Sequence, residues 1–545
     1  MDSDSFLVNS QMKDFCFDLH DATRRSHIVE DIKRLYDVEL RELSDKYCDK
    51  QPWPQAEAIA PQCLGLDGRP DEFFLTIYTE MAYRHLFAKL KPSLEDRLRA
   101  WENYCALFDG LLRAGDVETT LTPQWIFDIL HEFVYQFQSF CQYRTMPRTI
   151  DERQVLEANR SAWSVSAVYS YLHGIVAVSK IGGGQAPSVL HAHAGYFAVA
   201  VASRLDCLLC DYEGAVRVLD RIPGLDNDLF AEVFACRLHV YYHLGFALLM
   251  LRKYVEAARV LDAIVAQLAR IHKAGGGNFA RGGLPPNAPP AEQVQKIFDR
   301  ILALLTVTVG LAPSGAYRVD DISTQYMKDK HADKLAQMDR GDASVFETLL
   351  TSACPKVVVP AVPDYPNLDP VLTAEGLAAA AAQTPTTAKP ANPKGASHDA
   401  YDLQIRLFTQ EVDRQCTLSK IRSYLKLYTS IEVDKLARFN DVHDAADFRA
   451  LLAGLKHKIP ADTTVHFYVD KDMIYVDEPT SSYGDQPPEN FFMDHIHKYD
   501  VNIQALLDGS PIPKKERDHH QHRNHHHHQQ QHHHGPQDII PSLAY

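Results

Sequence analysis

The sequence predicts an all-α helical-repeat solenoid of tetratricopeptide-like type, followed by a winged-helix module with a small β-hairpin. Three observations predict it. Apolar residues recur at three- and four-residue steps through most of residues 28–311, a twelve-residue segment returns 42 residues later, and near residue 467 the apolar period drops to two. At 545 residues, two or three domains are expected.

Residues 1–50 form a first helical segment, with Ile28, Ile32, Leu35 and Tyr36 on one stripe. Pro52-Trp53-Pro54 then interrupts the helix and sets a bend. The helical-repeat region spans 51–373. In it, Phe74, Ile77, Tyr78, Met81 and Leu86 make one face, and Leu94, Leu98, Trp101 and Tyr104 another. Ser93 is placed to cap the second of these helices. The most periodic stretch is 125–143, where Ile126, Ile129, Leu130, Phe133, Phe137, Phe140 and Cys141 predict a deeply packed, aromatic-rich helix.

The internal repeat lays residues 211–222 over 253–264, with seven of twelve positions identical. Tyr212 matches Tyr254, Ala215 matches Ala257 and Leu219 matches Leu261. A small Ala lets two helices approach while the Tyr fills the space beside it, and each copy follows an apolar helix (198–209 and 240–251). The unit therefore reads as helix-turn-helix, with Pro223-Gly224 absorbing length beyond the usual period of about 34 residues. Residues 274–290 are rich in Gly and Pro and read as a mobile loop. Helices are expected at 297–311 and 345–352, after which Pro355, Pro360, Pro363 and Pro366 forbid helix. An Ala-, Thr- and Pro-rich insertion at 374–397 reads as disordered.

The last structured region, 398–508, opens with a long helical run at 403–427. An extended piece near Ile431, helices at 433–439 and 444–457, and a hairpin of 465–470 and 473–477 joined by Lys471-Asp472 follow. Helix, helix and two-stranded wing make a winged helix-turn-helix, with an amphipathic helix expected at 496–507. Phe467, Val469, Ile474 and Val476 alternate along the hairpin and are the candidate subunit-interface residues. The tail from 509 to 545 is rich in His and Gln and reads as a disordered spacer.

A net charge of −15 argues against a chain that coats nucleic acid along its length. Residues 418–458 are the exception, with eight Lys or Arg against five acids. Lys435, Arg438, Arg449, Lys456 and Lys458 are the candidate RNA or ribosome contacts. Asp444 and Asp447 on the second helix favour protein packing over RNA. The ten cysteines are scattered through apolar runs, nothing at Met1-Asp2-Ser3-Asp4 resembles a secretory leader, and no apolar stretch reaches about 18 residues. A reducing compartment and no membrane span are expected.

No active site, cofactor or metal is expected. Cys207 and Cys210 form a C-x-x-C without a second pair, and His131-Glu132 lacks the second His of a zincin because Tyr135 stands there. Gly182-Gly183-Gly184 and Gly275-Gly276-Gly277 lack the Gly-Lys-Ser/Thr of a phosphate loop. His191 and His193, two apart on a helix, point in different directions. Asp71-Glu72 and Glu95-Asp96 sit in early helix turns, where the dipole favours them.

Several segments resemble the L subunits of eukaryotic translation initiation factor three. They are Pro52-Trp53-Pro54, Tyr83-Arg84-His85, Glu102-Asn103-Tyr104-Cys105, Glu132-Phe133-Val134-Tyr135-Gln136-Phe137-Gln138-Ser139-Phe140, Ser352-Ala353-Cys354-Pro355-Lys356, the run 418–429 and the run 467–474. The resemblance implies a PCI-type subunit, with helical repeats capped by a winged helix, in a multi-subunit factor on the 40S ribosomal subunit. It implies contacts with subunits K and E and with PCI subunits generally, and a cytoplasmic, non-catalytic role in assembling initiation complexes and recruiting mRNA. The alternatives are a PCI subunit of another assembly, such as the proteasome lid or signalosome, and a direct RNA-binding module. The segments after Lys273 and Leu372 and the His-rich tail look foreign to the family.

Overall fold

The computed structural model describes residues 9–365 and 396–477, together with Ile496. Breaks fall at 26–28, 66–67, 114–118, 146–148, 313–316 and 459–465, and at scattered positions within 223–231, 282–287 and 426–443. Ile28, residues 374–395 of the expected insertion, all but Ile496 of the expected last helix, and the 509–545 tail lie outside the described residues. The chain divides into two compact units, Met1–Asp413 and Arg414–Tyr545.

The first unit is built from helices that pack on their neighbours in chain order. Its N-terminal part holds α1 (Ser10–Arg25), α2 (Val29–Lys33), a π-helical turn at Arg34–Glu39, and α3 (Leu40–Tyr47). Then come α4 (Ala56–Ile59), α5 (Glu72–Lys89), α6 (Leu94–Leu112) and α7 (Pro123–Thr145). Ser93 caps α6 in a reciprocal box with Asp96, and Asp71 caps α5 through the Phe74 N–H at 3.1 Å. Phe133 of α7 meets Tyr104 and Phe108 of α6 and Trp163, with ring centroids 5.1, 4.8 and 5.5 Å away. That cluster is where the aromatic stripe of α7 goes.

Two further helices follow α7: α8 (Ile150–Ala158) and α9 (Val165–Ser179). The repeat then appears as two helix pairs, α10 (Val189–Leu208) with α11 (Tyr212–Leu219), and α12 (Phe234–Met250) with α13 (Tyr254–Ala274). Both pairs turn the same way. Cys210 and Arg252 each take φ of 64°, and the N–H groups of Asp211 and Lys253 reach back to the carbonyls of Asp206 and Leu248, each at 2.9 Å. These are left-handed helix stops at matching positions of the two copies.

Ala215 and Ala257 are fully buried, and so is Leu261, while Leu219 and Tyr254 are nearly so. Ser203 donates to the Ala215 carbonyl at 2.8 Å. At the matching position in the second pair, Gly245 lies so close to Leu261 that an added Cβ would meet Leu261 Cδ2 at 2.3 Å. Tyr212 is half-buried, meets Phe246 edge to face at 5.6 Å and donates to Gln404 at 3.2 Å.

The loop expected to be mobile at 274–290 is anchored instead. A 3-10 turn at Phe279–Arg281 buries Phe279 against His272 and Phe298, with centroids 4.9 and 5.6 Å apart. Beyond it lie α14 (Ala291–Leu311), α15 (Asp321–Asp339) and α16 (Ala343–Ala353). Of these, α15 is unannounced by periodicity and is broken at His331, where φ is −128°. After α16 the proline-rich chain runs without regular structure and lies back across earlier helices. The Val358 N–H donates to the Leu208 carbonyl at 2.8 Å, and Arg144 donates to the Pro360 carbonyl.

The long α17 (Ala396–Leu425) begins in the first unit and ends in the second. The second unit adds β1 (Ser430–Glu432), α18 (Val433–Phe439), α19 (Ala445–Lys458), β2 (His466–Asp470) and β3 (Met473–Asp477). Its sheet is antiparallel with order β1-β3-β2, so the expected hairpin gains a third strand from the extended piece at Ile431.

Buried charges knit the N-terminal part together. Arg84 pairs with Glu80 at 3.3 Å and Asp128 at 3.4 Å, Tyr104 donates to Glu80 at 3.2 Å, and Tyr36 donates to Asp128 at 2.8 Å. Nearby, burial pushes the Glu132 carboxyl up to about 8, against the opposing hydrogen bond from Gln136.

Two predictions follow from this packing. Ala215→Trp and Ala257→Trp overfill the helix crossings and cost about 1–3 kcal/mol each, read as a lower denaturation midpoint; unchanged midpoints would refute the repeat alignment. Glu132 binds its proton more tightly folded than unfolded. Its effect on stability is therefore favourable at low pH and lost as pH rises from about 4.3, the ordinary glutamate value, towards about 8. Glu132→Gln should make the fall in melting temperature between about pH 5 and about pH 8 shallower, and an unaltered slope would contradict the assignment.

Candidate functional site

The groups that resemble chemical motifs are engaged in packing. His191 takes the Ser188 hydroxyl at 2.8 Å on Nδ1 and sits 3.0 Å from the Leu111 carbonyl on Nε2, so it closes a helix start. Asp71 gathers His20 at 3.1 Å and Arg24 besides the α5 N-terminus. Burial works to raise its carboxyl, but these hydrogen bonds hold it well below the ordinary range. Cys207 is buried with its Sγ 3.5 Å from the His243 carbonyl, and burial pushes its thiol up.

His131 is half-buried. Its ring lies 4.5 Å from that of His239, tilted by 50°, and His239 stacks on His243 at 5.9 Å. Burial first, and then Arg204, drives the His131 ring well below its usual range. Among the described residues no group of three His, Cys, Asp or Glu side chains is arranged to hold a metal.

The terminal sheet separates the expected interface residues. Phe467 and Ile474 belong to the second unit's own core, with Leu418, Ile421, Leu425, Leu436, Phe448 and Leu452, so they are not available to a partner. Val476 packs partly on the same core. Val469 shares their parity but stands 42% exposed, because it lies one residue from the turn. The outward face carries residues that the alternation pattern passed over. Tyr468 and Tyr475 lie opposite each other in the register, stacked at 5.2 Å and 19°, and 47% and 36% exposed. Alternation identifies two faces, but only packing shows which one is buried.

The candidate basic residues also separate. Lys435 and Arg438 are exposed on α18, with the Lys435 ammonium 5.9 Å from the Phe439 ring. Arg449 is tied to Asp472 at the hairpin turn. The side chains of Lys456 and Lys458 lie outside the described residues. Tyr212, Ala215, Leu219, Tyr254, Ala257 and Leu261 meet within the two repeat pairs, as packing rather than chemistry.

Phe467→Ala should cost about 3–5 kcal/mol and open residues 430–477 to hydrogen exchange. Tyr468→Ala should cost at most about 1.5 kcal/mol and leave that protection in place. Equal protection in the two variants would contradict the assignment of faces.

Among the described residues no helix is long and apolar enough to cross a membrane. The family described as RNA polymerase I-associated factor PAF67 matches residues 96–499. Three relatives carry the name eukaryotic translation initiation factor 3 subunit L. The Nematostella vectensis protein is 32% identical over 92% of this chain and 94% of its own length. The Xenopus laevis protein is 34% identical over 88% and 84%, and the Homo sapiens protein 34% identical over 87% and 82%. Such similarity takes in the helix pairs and the terminal sheet alike, and the chain belongs to the family of subunit L of eukaryotic translation initiation factor 3.

Proposed function

We propose that this chain is a non-catalytic scaffold subunit of initiation factor 3. In this reading it assists assembly of initiation complexes on the 40S ribosomal subunit and recruitment of mRNA in the cytoplasm. The observation that carries the reading is identity of 32–34% over 87–92% of the chain to relatives of that name. The N-terminal part supports it, because Arg84, Glu80, Asp128, Tyr36 and Tyr104 are bonded to one another within the fold.

We assign the repeat body to residues 51–373 and the docking module to 398–508. The three-stranded sheet with two short helices is read as a winged helix of PCI type. Its neighbours would be subunits K and E first, and the stacked Tyr468 and Tyr475 are the surface offered. RNA contact is a weaker, second role, and Lys435 and Arg438 are the exposed cations that would make it.

Tagged chain expressed in its own cells should co-purify with the other initiation-factor subunits and 40S particles. Recovery of the chain alone, or with RNA polymerase I instead, would overturn the proposal. Lys435→Glu with Arg438→Glu should lower RNA crosslinking about tenfold or less without loss of the other subunits.

A further inference from the structure

In the first unit α7, the repeat helices, α14 and the chain after α16 line an open cavity of about 770 Å³. Arg204, only 8% exposed, is its floor, and the exposed Arg300 and Lys356 stand at its rim. Among the described residues no aspartate or glutamate lines it. The chain carries a net charge of −15, so a cavity with three cations and no acid runs against the character of the whole protein.

Arg204 donates one N–H to the His131 carbonyl at 3.2 Å. Burial lowers its guanidinium to about 10, and the acid that works against this, Glu132, is itself raised to about 8. Among the described residues the cavity lining holds no aspartate or glutamate to pair with Arg204. A buried cation without an ionised partner is costly, and an anion entering the cavity would offset the cost. The neighbouring His239 and His243 are held neutral, chiefly by burial. They offer ring nitrogens without adding charge.

We propose that this cavity is a docking site for an extended acidic peptide segment of a partner protein. Its volume suits a handful of residues. The same wall already holds extended backbone from this chain. Leu208 lines the cavity, and its carbonyl accepts the Val358 N–H of the non-helical chain at 2.8 Å. Tyr135 and Tyr401 supply further flat walls against which side chains can lie. That precedent for extended backbone favours a peptide over a small polyanion. The inference rests on the scaffold reading only in taking the occupant to be a protein. Co-purification tests the scaffold, whereas binding by the isolated full chain tests the cavity.

Fluorescein-labelled hexaglutamate is titrated with the full chain and followed by anisotropy. Saturable binding is expected, weakened at least about tenfold in the Arg300→Glu, Lys356→Glu double variant and unchanged in Arg318→Glu, an exposed position outside the cavity lining. The rim positions are chosen because replacing Arg204 itself would disturb the core. Absence of saturable binding, equal binding by the rim variant, or displacement by ATP at lower concentration than by unlabelled peptide would overturn the proposal. The last outcome would assign the cavity to a small polyanion.

Discussion

The distance at which two helices can cross governs the repeat region. Ala215 and Ala257 present only a methyl at the crossings, and Gly245 presents nothing where Leu261 presses in. Close crossings bring backbone near backbone, which is why the Ser203 hydroxyl can reach a carbonyl of the neighbouring helix. They also fix the turns. A chain that must reverse within three residues stops its helix through a left-handed residue, and Cys210 and Arg252 accept that conformation although neither is glycine. Side-chain size at one position thus propagates into backbone geometry a turn away.

Where the sequence was legible, one face of an element was strongly apolar or a segment recurred. The α7 stripe, the 42-residue repeat, the Ser93 cap and the strands of the hairpin are of this kind. Where it was not, the signal was physically absent. In α15 only Ser323, Met327 and Met338 are buried, so charged residues surround the helix and no stripe exists to read. α9 is different, since its buried Val168, Leu172, Ile175 and Val176 do share one helical stripe. The functional surface was the least legible part. Alternation singled out Phe467 and Ile474, yet these anchor the module's own interior, and the stacked tyrosines that face solvent look unremarkable in a string of letters.

Polar groups in the interior serve two purposes. In the N-terminal part, Arg84 is surrounded by Glu80, Asp128 and the Tyr36 hydroxyl, which gives three helical segments a common centre that an apolar core would leave less specific. In the repeat region Arg204 lacks that company. Arg84 is held by carboxylates and a phenol, whereas Arg204 is held by the His131 carbonyl alone among the hydrogen bonds described above.

The return of residues 354–365 across earlier helices bears on how the protein is made. Arg144 meets the Pro360 carbonyl 216 positions later, and Leu208 meets Val358. Stacked repeats would ordinarily consolidate one after another as they leave the ribosome. Here α7 and α10 must hold a surface open until translation has moved on by hundreds of codons, so a nascent chain halted before Val358 carries finished helices without the segment that lies across them.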